Sequence, residues 1–478
     1  MENYNDKQTF IKEYCKALDE GRAAVFAGAG LSASAGFVNW AELLSDVAKK
    51  LGVKIDSSTN LVDLAQYYFN KFKNTNALSS AILNQFPNNA PPTLNHQILA
   101  SLPIAVYWTT NFDKLIERSL EQAGKVYDVK SDPHSLTISK DGCNVTVYKM
   151  NGDVDHPTEA ILTRDQFEQY PYTHQSFLNN FSYDLTNRTF LFLGLSFNDP
   201  NLKYVLKYVR HLYNENQREH YYILKKAELE TGESNEDFDS RFKYQDLFIE
   251  DLKNYGIQTV LIDDYAEITE ILTAIKERYL RKNVFISGAA NDFSSCRYNE
   301  DEFKQFVMQL SADLISNGYR IVSGYGLGLG NEVLAGAISE LNKLHKPMDG
   351  NLIIRPFPQG ASDSDRSRQA YREEMISMTG VSLFLMGNKR DKATGKTINS
   401  PGVRKEYEIS RNNRSILIPV GATGSMAREL YNEQMKAILA GETEYDKYKK
   451  LFEILGDESL PLNTLRKKIL ELLNAINE

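Results

Sequence analysis

The feature that most constrains this chain is a pair of glycine-rich turns, each placed directly after a short run suited to a buried strand. The first run, Ala24-Val25-Phe26-Ala27, enters Gly28-Ala29-Gly30-Leu31-Ser32-Ala33-Ser34-Ala35-Gly36. The second, Tyr319-Arg320-Ile321-Val322-Ser323, enters Gly324-Tyr325-Gly326-Leu327-Gly328-Leu329-Gly330. Glycine lets a backbone turn sharply and bring its N–H groups against a phosphate, and a following helix offers its positive N-terminal end to the same anion. Together they predict two nucleotide-handling sites, one that acts and one that listens.

At roughly 150 residues per domain, 478 residues suit two or three domains, and the two turns favour two. With 42% apolar and 25% charged residues, the chain can build its cores without metal or disulfide help. Lys and Arg number 55 against 63 Asp and Glu, and the net charge of −8 argues against a nucleic-acid-coating role. Cys15, Cys143 and Cys296 lie far apart, so neither a disulfide framework nor a cysteine zinc site is encoded, and a reducing cytoplasm fits best. No apolar stretch approaches the ~18 residues of a membrane-spanning helix, so no membrane partner is expected.

Hydrophobic patterning predicts helices over Phe10 to Leu18, Trp40 to Leu51, much of Leu61 to Leu102 and Ala266 to Tyr279. Strands are expected at Ala23 to Ala27, Ala105 to Trp108, Val145 to Met150, Thr189 to Leu193, His220 to Leu224 and Gln258 to Ile262. A second alternating series starts at Val284 to Ser287 and continues through Asn351 to Ile354, Val381 to Met386 and Ile416 to Val420. Two amphipathic helices close the chain between Tyr448 and Asn477, and the acidic run Glu228 to Asp239 reads as a solvated loop. Such alternation is the pattern of doubly wound parallel sheets, giving an α/β fold with domains at 1–281 and 282–478.

Gly28-Ala29-Gly30-Leu31-Ser32-Ala33 formally matches the dinucleotide pattern, yet no acidic residue closes a second strand about 20 residues later, which disfavours hydride transfer. Its companions in order are Thr110-Asn111-Phe112-Asp113, Lys149-Met150-Asn151-Gly152-Asp153 and Gly194-Leu195-Ser196. This ordered set, over about residues 10 to 280, resembles the sirtuin family. The resemblance implies a parallel-sheet domain with a helical small subdomain that binds NAD through Ala27, Gly28, Ala29, Gly30, Ser32, Thr110, Asp113, Gly194 and Ser196. It further implies that Asn111 orients the ribose hydroxyl and the attacking water, and that Asp113 and Ser196 hold the ribose portions. Read without the family, Asn111 and Asp113 are first of all caps of a helix beginning at Lys114.

Two departures from the family stand out. The four zinc cysteines of its deacylases are missing, which points to the zinc-free branch that hydrolyses NAD as substrate, with no metal. Asn151 stands where the family has its catalytic histidine, and an amide cannot take a proton near neutral pH. His156 lies five residues on, before Pro157, and reads as a loop residue. Loss of a positioned acid–base group costs ~10²–10⁴ in rate, so the chain is expected to bind NAD and turn it over slowly. The alternative is a non-enzymatic sensor that acts by assembly.

The second turn matches neither the dinucleotide fingerprint nor the Walker A loop. Around it, Ser287-Gly288-Ala289, Arg355-Pro356-Phe357-Pro358, Tyr371-Arg372, Gly387-Asn388-Lys389 and Pro401-Gly402-Val403-Arg404-Lys405-Glu406 fall at loop positions that a doubly wound sheet gathers at one edge. They resemble the SLOG domains, relatives of phosphoribohydrolases that use P-G-G-x-G-T-x-x-E. Here only Pro401-Gly402 and Glu406 survive, so a receptor is expected instead of an enzyme. The pairing of the two domains resembles the effector family of the bacterial Thoeris anti-phage systems. That resemblance implies a cyclic ADP-ribose isomer, made by a TIR-domain partner protein, bound by Gly288, Ala289, Leu327, Phe357, Arg372, Lys389, Gly402 and Glu406. It also implies a homo-oligomer, a tetramer that assembles further, hydrolysing NAD to ADP-ribose and nicotinamide.

Overall fold

The computed structural model describes residues 6–477 except 57–58, 88, 198, 214–216, 295–296, 327, 357–364, 392, 442 and 444. Cys296, Leu327 and Phe357 therefore lie outside the described residues. The chain divides into two compact units between Lys276 and Glu277, within the helix Ala266–Leu280.

The first unit holds a parallel seven-stranded sheet built from β1 (Ala23–Ala27), β2 (Val106–Thr109), β3 (Tyr127–Lys130), β4 (Val145–Lys149), β5 (Thr189–Leu193), β6 (His220–Lys225) and β7 (Ile257–Ile262). Its order is β3-β4-β2-β1-β5-β6-β7, and every strand pair is parallel. Strands covered on both faces carry unbroken apolar runs, and β1 and β5 are buried at every residue. Trp108 on β2 stacks on Tyr148 of β4 with ring centroids 4.2 Å apart. The chain lays strands on one side of β1 and then crosses to β5 on the other, a strand-order reversal that opens a crevice at the carboxyl edge.

A helical subdomain lies between β1 and β2. Helices Trp40–Leu43, Ser45–Leu51, Leu61–Phe72 and Asn76–Gln85 enclose a core that includes Phe37, Leu44, Val47, Leu64, Leu78 and Phe86. The single helix expected over Trp40 to Leu51 is two, because Leu44 leaves helical geometry (φ −88°, ψ 4°) while its side chain is fully buried. The acidic run is also corrected. Ser234 accepts a hydrogen bond from the Asp237 amide and caps the helix Asn235–Lys253, so the run's second half is a first helical turn whose carboxylates suit the helix dipole. Strand β3 escaped the sequence pattern because it is an edge strand, and only Lys130 of its four residues is buried.

The second unit contains β8 (Asn283–Ala289), β9 (Arg320–Ser323), β10 (Leu352–Ile354), β11 (Val381–Met386) and β14 (Ile416–Pro419) in the parallel order β10-β9-β8-β11-β14. A short antiparallel pair, β12 (Asn388–Arg390) and β13 (Thr397–Asn399), extends from the end of β11 and was not expected from sequence. Helices Glu300–Ser316 and Leu462–Asn477 bury Phe303, Phe306, Leu310, Leu465, Ile469 and Leu472 in one core with β8, β9 and β11.

Candidate functional sites at two carboxyl edges

Strand register in the first unit aligns Ala27, Thr109, Lys149 and Leu193 at one level. The residues that follow, Gly28, Asn111, Asn151 and Gly194, therefore emerge together at the carboxyl edge. Asn111 Nδ2 donates to the Gly28 carbonyl (3.0 Å) and to Ser32 Oγ (3.1 Å), while the Asn111 amide donates to Thr109 Oγ1. Beside it lies a narrow cleft lined by Ala29, Ser32, Thr110 and Asp113 with the apolar walls Phe37, Trp40, Phe86 and Phe112. One oxygen of Asp113 caps a helix and the other is left over. Its Oδ1 accepts from the Leu115 amide at the start of the helix Leu115–Gln122, while its buried Oδ2 has no hydrogen-bond partner.

Lys149 holds this edge from below. Its fully buried ammonium meets Asp153 Oδ2 (2.6 Å), the Asp113 carbonyl (2.7 Å), Glu117 Oε1 (2.8 Å) and the Phe112 carbonyl (3.2 Å). Burial alone would discharge it, but Glu117 and Asp153 hold it charged, with a pKa above the usual lysine range. Burial pushes Glu117 up against the opposing pull of Lys149. One side chain thereby ties the loop carrying Asn111 to the loop carrying Asn151. In the sequence Lys149 is only the neighbour of Asn151; a lone lysine closing the strand Val145–Lys149 is the signal for its role.

Asn151 is 1% exposed. Its Nδ2 donates to Asp199 Oδ2 at 3.1 Å and its Oδ1 has no partner. His156 lies exposed before the short helical turn Pro157–Glu159. Ser196 is exposed in the loop after β5, and Ala27 is fully buried with its carbonyl accepting from Thr109 Oγ1.

The glycine turn differs from its sequence reading in one respect. The Gly30 amide donates to the Gly194 carbonyl (3.0 Å) and the Gly28 amide to the Leu193 carbonyl (2.8 Å), so neither is directed at a phosphate. The helix that follows, Ala29–Ser32, is a single turn and gives way to the 3-10 turn Ala33–Ala35. What demands glycine is closeness: a Cβ on Gly30 would stand 2.8 Å from Gly194 Cα, and one on Gly194 (φ +65°) would stand 2.3 Å from the Leu31 amide nitrogen.

In the second unit, Ser287 Oγ donates to Glu406 Oε2 at 2.6 Å, and Arg372 Nε lies 3.5 Å from Glu406 Oε1. Burial raises the Glu406 pKa, with Ser287 and Arg372 opposing the rise. Gly402, near the start of the helix Pro401–Asn412, lies against Arg372: a Cβ there would meet its guanidinium at 3.6 Å. Gly288 and Ala289 end β8 and pair in register with Leu385 and Met386 of β11, after which Gly387 leads to Lys389 on β12. Ser287, Arg372, Gly402 and Glu406 thus form one polar cluster, while Gly288, Ala289 and Lys389 flank it along the sheet edge. The glycines of the second turn also serve close packing, since a Cβ on Gly326 would stand 2.3 Å from the Gly288 carbonyl oxygen.

Residues 267–476 match the model of the Sir2- and TIR-associating SLOG family, and residues 105–258 match a SIR2-like domain. The chain is 42% identical over 476 residues to the NAD(+) hydrolase ThsA of Bacillus cereus, covering 98% of each chain. The chain belongs to the ThsA family. A ThsA of Acinetobacter baumannii is 40% identical over 485 residues, covering 99% of each chain. Defense-associated sirtuin 2 of Bacillus subtilis is 23% identical over 224 residues, 45% of this chain and 22% of that protein. Family membership accounts for the ordered motifs and the two α/β units alike.

For this ThsA-family chain, Gly30→Val is expected to push the first turn away from Gly194 and abolish NAD binding. Quenching of Trp40 fluorescence in the pocket wall is the readout, with an unchanged circular-dichroism spectrum as the control for an intact chain. Unchanged NAD affinity would mean that the turn tolerates separation from the β5 loop.

Proposed function

We propose that this chain hydrolyses NAD to ADP-ribose and nicotinamide as an effector of bacterial antiviral defence, at a rate lowered by Asn151. The observation that carries the reading is the convergence of Asn111, the Gly28–Ser32 turn and Gly194 at one carboxyl edge, in a chain that aligns end to end with NAD(+) hydrolases. The site suits this substrate in two ways. The aromatic pocket walls of Phe37, Trp40, Phe86 and Phe112 fit a flat ring, and the unpartnered Asp113 Oδ2 fits a hydroxyl donor. The Asn111 side-chain amide is held by Gly28 and Ser32, which leaves its Oδ1 to orient a ribose hydroxyl or water. Cleavage of the ribose–nicotinamide bond leaves positive charge on the sugar, and a water takes the vacated carbon while giving up a proton.

In this reading the second unit is the receptor for a cyclic ADP-ribose isomer made by a TIR-domain partner protein, a pairing supported by the family description of residues 267–476. The chain works as a cytoplasmic homo-tetramer that assembles further when the signal binds. Glu406, held between Ser287 and Arg372, suits a hydroxyl-rich ligand, and Arg372 and Lys389 suit its phosphates. Arg372→Ala is expected to weaken signal binding by 10- to 100-fold, the equivalent of about 1.5–3 kcal/mol for a bond to a charged group. Glu406→Ala is expected to weaken the same ligand while NAD binding in the first unit is unaltered. Calorimetry with a panel of cyclic ADP-ribose isomers checks both, and undiminished affinity in Arg372→Ala for every isomer removes that residue from the site.

Asn151 favours a second reading, in which the first unit binds NAD without cleaving it and the chain acts through assembly. An assay of nicotinamide release with and without the signal separates the two.

A further inference from the structure

The loop after β5 has a feature that helix capping does not explain. Asp199 precedes the helix Pro200–Tyr213, and its Oδ1 accepts from the amides of Asn201 (2.9 Å) and Leu202 (3.0 Å), as an N-cap aspartate does. Capping uses Oδ1 alone. Oδ2 turns the other way, into the sheet edge, where it accepts from Asn151 Nδ2. A carboxylate oxygen carries two lone pairs, so this bond leaves Oδ2 able to accept another proton. The Asn151 Oδ1 beside it is buried and unpartnered, an acceptor without a donor in the position where the sirtuin family places its base.

The loop is held in this shape at a cost. Phe197 has φ +54°, a region that bulky side chains rarely adopt, and its buried ring packs on Phe192 and Tyr222. Residues kept in such conformations by surrounding packing are concentrated at functional sites.

We propose that Asp199 is the proton acceptor of this site, with Asn151 as the amide that orients it and presents Oδ1 to the attacking water. The inference rests on the NAD hydrolase reading above. In the step, the C1′–N bond breaks and its electron pair leaves with nicotinamide. The water oxygen bonds C1′, one of its protons passes to Asp199 Oδ2, and ADP-ribose and neutral nicotinamide result. Burial raises the Asp199 carboxyl above the ordinary carboxylate range, against the opposing pull of Asn151, the two amides and Lys203 on its own helix. Among the described residues, Tyr170 from the helix Arg164–Thr173 also faces it.

Asp199→Asn is the discriminating variant, because asparagine caps a helix as well as aspartate does and cannot take the proton. The full chain, with a panel of cyclic ADP-ribose isomers present, is assayed for nicotinamide release, and Trp40 quenching reports NAD binding. The expected result is slow turnover by the unsubstituted chain, lost by ~10²–10⁴-fold in Asp199→Asn with NAD binding unchanged. The rate of the unsubstituted chain should also fall with decreasing pH through an ionisation above the ordinary carboxylate range, since only the charged form accepts a proton. Equal rates in the two proteins overturn the role of Asp199 and leave the hydrolase reading standing. So does an unsubstituted chain that is inert while Asn151→His is active. If neither is active with the signal bound, the hydrolase reading falls and this inference with it.

Discussion

Asn151→His is expected to raise NAD hydrolysis by ~10²–10⁴-fold, the usual contribution of one positioned acid–base group. The substitution puts an imidazole just past the end of β4, level with Asn111 just past the end of β2 and beside the carboxylate of Asp199, which lies 3.1 Å from the present amide. A carboxylate in that place can accept from one ring nitrogen, fix the tautomer and leave the other nitrogen to take the proton. Adding Asn111→Ala should return the activity to background, since a base without an oriented ribose and water has little to act on. Nicotinamide release at saturating signal measures both. An inert but folded Asn151→His chain would contradict the placement of Asn151 at the reacting centre.

Lys149→Met should destabilise the first unit by about 3–5 kcal/mol, the usual cost of removing one partner from a buried ionic group. The loss leaves Glu117 and Asp153 buried without their cation and frees the Phe112 and Asp113 carbonyls. Both tryptophans of the chain, Trp40 and Trp108, belong to the first unit, so urea unfolding followed by their fluorescence reads that unit. Adding Glu117→Leu should recover part of the loss, because apolar replacement removes the stranded charge. A midpoint unmoved by Lys149→Met would mean that the cluster contributes nothing to holding the two loops.

Where strands are fully covered, their apolar runs were legible: Ala23–Ala27, Thr189–Leu193 and Val381–Met386 coincide with the expected segments residue for residue. The edge strand Tyr127–Lys130 and the pair β12–β13 were not, because exposed short strands carry no buried alternation. At the site, motif order picked out Gly28, Asn111, Asn151 and Gly194, and strand register brings them to one edge. Motif order could not show that Gly30 spends its amide on Gly194, because that depends on two loops about 160 residues apart meeting within a hydrogen bond. Asp199 was invisible for the same reason. Alone in sequence it is an aspartate before a proline, and only the fold turns its second oxygen toward Asn151.

In the proposed function one unit of this chain cleaves NAD and the other switches the cleavage on. Nicotinamide release by the Asn151→His chain, measured across a titration with each cyclic ADP-ribose isomer, tests it most directly. The expected result is a rate near background without ligand that rises to saturation with one isomer, and an Arg372→Ala companion whose half-maximal concentration is shifted upward by 10- to 100-fold. A folded chain that releases nicotinamide equally well with no isomer present, or releases none with all of them, would contradict the claim.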